Sequence, residues 1–283
     1  MKFIYNFRAV WRVALYEVRV MLFSLKFLIL AALSWMFMDL YVADIRQFAL
    51  DYGETLVPAQ LPFYFSDPLY CNIAFLLLIF LFSDLPPKDS SQRQVLQRSG
   101  IRCYGAGQML AIAIMSVIYV AEQLLFSVLT CIPCVEFAGW GKIWQSVASG
   151  KMYDLGYNCT ATVSQNVITK YLPWQAIGAS ALLFCLTGIC YAMIEYLLNG
   201  ISRGKAGTAV LSSWSMAWIF LQGLASHWAW VQTAHRFSPQ NWNDLAYKES
   251  SDIGKMAVRI LLCILFLALL NQILIKHRKI QTI

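Results

Sequence analysis

The sequence predicts an all-α membrane protein of six transmembrane helices behind an N-terminal amphipathic surface helix, with both termini cytoplasmic. Two observations carry that reading. Hydrophobic residues make up 59% of the chain and charged residues 13%, where a soluble domain holds about 25% charged. The apolar residues are also gathered into long blocks, and the clusters of charge fall between the blocks.

Six segments meet the requirement of about 17 to 25 predominantly apolar residues for crossing a hydrocarbon core about 30 Å thick. They are 22–43, 68–84, 104–133, 173–198, 206–225 and 254–275. Each is predicted as helix, because a backbone facing lipid finds no water for its N–H and C=O groups and must bond within the segment.

Orientation follows from the basic residues beside the spans. Lys2, Arg8, Arg12, Arg19 and Lys26 precede or open the first span, and Lys88, Arg93, Arg98 and Arg102 follow the second. Arg203 and Lys205 separate spans four and five, and Lys276, Arg278 and Lys279 follow the sixth. These are fourteen of the 22 Lys and Arg residues, on the side predicted to hold both termini; positive charge marks the cytoplasmic side. The net charge of +7 is explained by this placement, and nucleic acid is not expected as a partner. Nine acids agree: Asp44, Asp51, Glu54, Asp67, Glu136, Asp154, Asp244, Glu249 and Asp252 fall outside, whereas Glu17, Asp84 and Asp89 fall inside.

The first twenty residues carry four bases and an acid, and the span after them is too long for a cleaved signal, so the first span is expected to remain as an anchor. No soluble domain is expected before, between or after the spans, so 1–283 reads as one membrane domain.

Residues 4–21 form the surface helix. At about 100° per residue, Arg8, Arg12 and Arg19 fall within an arc of about 40°. Phe7, Val10, Trp11, Ala14, Val18 and Met21 lie beside them. Basic side chains on such a helix meet anionic head groups at about 1 kcal/mol each, with Trp11 and Tyr16 as interfacial anchors; the plainer reading is a topogenic basic tail.

The loop 84–103 opens with Pro86-Pro87 and offers Ser90 or Ser91 as a helix N-cap. It runs through Gln92-Arg93-Gln94-Val95-Leu96-Gln97-Arg98 to Gly100 as a stop. It reads as a short helix below the membrane, able to transmit force from a cytosolic partner, or as a solvated topogenic loop.

Eight cysteines are present. Cys71, Cys185, Cys190 and Cys263 lie in apolar blocks, where a thiol behaves as a small hydrophobe. Cys131 and Cys134 form a CxxC, and Cys159 lies in the following loop; neither metal-ligand spacing nor a thioredoxin-like context accompanies them. The readings are plain cysteines or a disulfide involving Cys159. Asn158-Cys159-Thr160 is formally a glycosylation sequon and carries no weight alone.

Three carboxylates fall inside predicted spans, where a charge near the bilayer centre costs about 2.5 to 3.5 kcal/mol on insertion scales. Glu122, beside Gln123 in span three, either faces a pathway or neighbouring subunit or makes a structural hydrogen bond to another helix. Glu195, near the cytoplasmic end of span four, is expected to reach water or pair with Arg203. Asp39 lies at the outer end of span one and touches the aqueous interface.

Enzymatic readings fail on their requirements. No HExxH occurs, His227, His235 and His277 lie outside the spans, and no GxxxxGK[ST] phosphate cradle is present. Gly200-Ile201-Ser202-Arg203-Gly204-Lys205 has the wrong spacing. Neither a catalytic site, a metal nor a cofactor is expected in this chain.

The surface helix, the Phe82-Ser83-Asp84-Leu85-Pro86 exit from span two, the basic segment to Arg98-Ser99-Gly100-Ile101-Arg102, and Phe237-Ser238-Pro239-Gln240-Asn241-Trp242 resemble, in that order, ABC-2-type permeases of bacterial ABC transporters. The resemblance implies a plasma-membrane exporter: two permease copies, or one copy with a homologous permease, working with cytosolic ABC ATPase subunits that hold ATP and Mg. It assigns ATPase coupling to Ser91, Arg93, Leu96, Arg98 and Arg102, and short re-entrant helices to 226–252. The loop 134–172 is longer than the family pattern; it is expected to form an external cap, with Trp140, Trp144, Tyr153 and Tyr157 near the outer interface. The rival expectation is a non-transporting membrane protein, a sensor or an assembly or immunity factor that binds a partner.

Overall fold

A computed structural model describes residues 2–86, 90–202, 204–224, 239–246 and 250–281. The side chains of 2–6, 90–93, 222–224, 239–240, 250–251 and 276–281 are not among those described. In chain order the helices are α1 (Lys2–Leu22), α2 (Leu25–Asp51), α3 (Leu61–Tyr64), α4 (Pro68–Phe82), α5 (Ser90–Ser99) and α6 (Ile101–Leu129). They continue as α7 (Gly141–Ala148), α8 (Lys151–Asp154), α9 (Gln165–Lys170), α10 (Pro173–Ser202), α11 (Ala206–Leu224), a 3-10 turn (Pro239–Asn243) and α12 (Ser250–Gln281). Among the described residues no β-strand forms; Leu56 and Val135 make an isolated parallel bridge.

The chain is an all-α membrane protein. Among the described residues four helices are long and apolar enough to cross a bilayer: α2, α6, α10 and the Asp252–Ile275 part of α12. Two of the six predicted spans are shorter. α4 has 15 residues, about 22 Å at 1.5 Å per residue, and α11 has 19.

Several boundaries move. The helix over the first predicted span begins at Leu25 rather than 22, because Ser24 breaks the chain between α1 and α2: its Oγ donates to the Met21 carbonyl at 2.6 Å and accepts from the Phe27 N–H at 3.1 Å. The third begins at Ile101, directly after Gly100, whose φ of +77° takes the left-handed region. The fourth runs on to Ser202, and the sixth, predicted as 254–275, extends from Ser250 to Gln281. The predicted re-entrant segment 226–252 falls largely outside the described residues.

α10 is the hub, packed against α3, α4, α6, α11 and α12. Its buried positions include Ala176, Ser180, Leu183, Phe184, Thr187, Tyr191 and Glu195. Phe184 stacks on Phe65 at 4.1 Å between ring centroids and meets Phe75 at 4.7 Å. The Tyr119 hydroxyl of α6 donates to the Ala74 carbonyl of α4 at 3.2 Å. α12 buries one stripe with Ile260, Asn271 and Ile275, and exposes Leu261, Leu262, Leu265, Phe266, Leu269 and Ile273. A helix apolar all round with one buried stripe fits lipid on its other side.

α1 does not lie free on a membrane surface. Val13, Ala14, Glu17 and Val18 are buried, and α1 packs along α6. The approach is close at Gly107, where a Cβ would stand 2.6 Å from the Val13 Cβ. Part of the apolar flank predicted to face lipid therefore faces protein.

The 134–172 segment folds over the end of the bundle opposite α5, with α7, α8 and α9. The Trp140 and Trp144 side chains are buried beneath the cap. Their ring N–H groups donate to the carbonyls of Tyr171 at 2.7 Å and Val57 at 2.8 Å, and both rings pack on Phe63. The indoles sit inside because Phe63 gives both rings apolar surface, while Val57 and Tyr171 each supply a carbonyl for one N–H. Tyr153 remains exposed; the Tyr157 hydroxyl donates to Asp51 at 2.8 Å. Among the described residues no disulfide forms, at Cys159 or elsewhere.

Candidate functional site

Two regions hold the residues singled out by sequence. The first is the end of the bundle that carries α5. α4 ends at Phe82, and Asp84, two residues on, bonds Lys26 of α2 through one oxygen and Lys205 of the α10–α11 turn through the other, each at 2.8 Å. Lys26 also donates to the Ser83 hydroxyl at 2.6 Å and lies 4.8 Å from the centre of the Phe80 ring. One carboxylate thus ties together three segments far apart in sequence, directly before the chain enters α5.

Asn199 makes a second tie. Its amide donates to the Leu85 carbonyl at 3.0 Å, and its Oδ1 accepts from the Gly207 N–H at 2.8 Å. The first N–H groups of a helix lack internal partners, so a side chain of α10 caps α11. Gly207 makes room: a Cβ there would stand 2.6 Å from the Glu195 carbonyl oxygen. Sequence reasoning missed this network, although Ser83-Asp84 at a span exit and Gly207 were its visible traces.

Burial alone would raise the Asp84 carboxyl, but the hydrogen bonds from Lys205 and Lys26 outweigh it and hold it below its ordinary value. A depressed carboxyl stabilises the fold above its unfolded pKa, and that contribution is lost as pH falls through the folded value. The expected result is a small loss of thermal stability below about pH 4. Asp84→Asn is expected to remove this dependence and to cost no more than about 1 kcal/mol per exposed pair. Thermal unfolding across acidic pH checks it, and an unchanged acid limb in the variant would remove Asp84 as its source.

α5 itself packs on α6 and α1. Leu96 is half-buried, Arg98 is exposed, and the Ser99 hydroxyl donates to the Val95 carbonyl at 2.7 Å. Ser91 and Arg93 belong to the first turn of α5 by backbone, and their side chains lie outside those described. Arg102, assigned to the coupling segment, sits instead in the first turn of α6, where it is exposed. On α1, Arg8, Arg12, Arg19 and Trp11 are exposed, and Trp11 stacks on Phe7.

The second region is polar ground inside the bundle. Glu122 is half-buried on α6, and both its carboxylate oxygens are enclosed with no hydrogen-bond partner. Gln123, 1% exposed, likewise has neither amide atom satisfied. The structural hydrogen bond weighed for Glu122 is not made. Unpaired polar groups at such depth cost free energy and stand out from the general rule of satisfaction.

Glu195 corrects its expectation. It is fully buried and does not reach water; it accepts from the Thr208 hydroxyl at 2.5 Å through Oε1, while Oε2 has no partner. The reason is the closeness of α11 at Gly207, which seals the carboxylate beneath the hairpin. Arg203, its expected partner, lies outside the described residues. Asp39 stays partly exposed and bonds Arg46 at 2.5 Å, and Arg46 also donates to the Thr130 carbonyl. Glu122 and Glu195 lie near opposite ends of the bundle and are not brought together. Among the described residues no cluster of His, Cys, Asp or Glu could hold a metal ion.

No family model matches the chain, and neither a curated protein nor a solved structure matches it.

Proposed function

We propose that this chain is the membrane-spanning permease subunit of an ATP-driven ABC exporter, with α5 as the helix on which a cytosolic ATPase sits. The observation that supports the reading best is the root of α5. A short polar helix packs on α6 and α1 at one end of the bundle, and the chain before it is tied by Asp84 to Lys26 and Lys205 and by Asn199 to Leu85. Force applied to α5 would therefore reach α2, α10 and α11 together instead of being lost in a flexible loop.

The proposal keeps six crossings. α4 alone is too short for a core of about 30 Å. Residues 59–65, which precede it, are nevertheless fully or almost fully buried. Irregular backbone is tolerated at membrane depth where protein surrounds it, so this segment and α4 can share one crossing. With six crossings both termini, α1 and α5 share the cytoplasmic face of a bacterial plasma membrane. ATP and Mg belong to the partner ATPase, and substrate moves by alternating access at an interface between two permeases.

Glu122 and Gln123 would then face the moving part of the pathway, where groups unpaired in one state find water, substrate or a neighbouring subunit in the other. Glu122→Gln is expected to change transport, or stimulation of an ATP-binding-cassette partner encoded beside this chain, at least several-fold. Glu195→Gln, whose contact with Thr208 survives as a hydrogen bond, is expected to change it less. The measurement is ATP turnover of the reconstituted pair. Failure of the full-length chain to bind that ATPase or alter its turnover would end the permease reading.

A further inference from the structure

We propose that Cys131 and Cys134 form a reversible dithiol–disulfide couple at the junction between α6 and the cap. The inference stands apart from the transport reading, since it rests on the local geometry of the turn that follows α6.

The Cys134 N–H donates to the Cys131 carbonyl at 3.1 Å. This i to i+3 bond defines a tight turn, whose first and last Cα atoms lie within about 7 Å, and disulfides bridge Cα atoms about 4.4 to 6.8 Å apart. The turn is also held from outside. The Leu56 N–H donates to the Cys134 carbonyl at 2.6 Å, and the Glu136 N–H donates back to the Leu56 carbonyl at 3.1 Å. Cys134 is thus fixed by the bridge between Leu56 and Val135, and Cys131 is held beside it by the turn bond.

The two thiols differ in access. Cys131 is buried and its thiol lies 3.4 Å from the Gln60 Oε1, as a donor to it. Cys134 is half-exposed. Cys159, the cysteine for which a disulfide was weighed from the sequence, is buried in the cap with its thiol directed at the Ala161 carbonyl at 3.5 Å. The accessible Cys134 is therefore the first to react and Cys131 resolves it.

With a small-molecule disulfide as oxidant, the Cys134 thiolate attacks one sulfur and releases the first thiolate, leaving a mixed disulfide at Cys134. The Cys131 thiolate then attacks the Cys134 sulfur and expels the second. Two protein thiols are oxidised, one external disulfide is reduced, and the two cysteine protons end on the two released thiols. Closing a ring of so few residues constrains the unfolded chain little, so the bond acts as a redox couple more than as a staple. Its closing withdraws the donor from Gln60, whose amide anchors the same turn through the Ser127 carbonyl and Thr130 hydroxyl.

The experiment equilibrates the detergent-solubilised full chain with defined ratios of reduced and oxidised glutathione. Remaining thiols are blocked with one maleimide under denaturation, the protein is reduced, and a second, heavier maleimide is added before peptide mapping. The expected result is that Cys131 and Cys134 acquire the second label together and to equal extent as the ratio turns oxidising. Cys131→Ser should instead accumulate a glutathione adduct on Cys134, and Cys134→Ser should leave Cys131 with the first label. The proposal is overturned if Cys131 keeps the first label at every ratio in the unsubstituted chain, or if its disulfide partner is Cys159.

Discussion

Arg93→Glu combined with Arg98→Glu is expected to weaken binding of the proposed ATPase partner at least tenfold while the bundle melts where the unsubstituted protein does. Arg98 is exposed near the end of α5, and Arg93 lies five residues earlier on the same ten-residue helix. Two reversed charges on a docking helix change attraction into repulsion, and tenfold in affinity corresponds to about 1.4 kcal/mol, within what misplaced interfacial charges cost. The fold should tolerate the change, because the ties at the root of α5 use Asp84, Lys26, Lys205 and Asn199 and neither arginine. Pull-down and thermal unfolding of the same preparations separate the two effects. Undiminished binding would remove α5 from the coupling role, and labelling of 90–102 from outside the cell would reverse the proposed topology.

Trp144→Ala is expected to have the largest effect on stability, about 3 to 5 kcal/mol, as for other large aromatic truncations in a packed core. The indole is fully buried and stacks on Phe63 at 5.1 Å. Its N–H bond to the Val57 carbonyl would leave that acceptor unpaired as well. Trp144→Phe keeps most of the apolar ring and loses the donor, so it should cost less, about 1 to 3 kcal/mol. Limited proteolysis of the 134–172 segment should show release of the cap in the alanine variant first. Equal resistance of all three proteins would mean that the cap is held by its other ties, Tyr157 to Asp51 and Thr162 to Asp67.

The polar residues show how far a sequence can be read. Glu122 is visible in the sequence because a carboxylate in an apolar block is expensive wherever it points, and its oxygens are enclosed and unpaired. Glu195 is visible for the same reason, yet its surroundings are not. Its partner is Thr208, thirteen residues away, brought close by a glycine whose importance lies in what packs against it. Trp140 and Trp144 lie in the cap, and their packing on Phe63, from a different part of the chain, is a contact no local pattern records.

The sequence by itself determined that this chain lives in a membrane as helices, because burying apolar blocks in lipid and satisfying every backbone group within a segment are local demands. It also marked the short helix at 90–99 and its glycine stop, since caps and breaks depend on neighbouring residues. Only the tertiary structure decided that α1 lies along α6, that Asp84 joins Lys26 to Lys205, and that the cap closes over Phe63. Those contacts join residues tens to more than a hundred positions apart, and no periodicity within one segment records which distant side chain will arrive beside it.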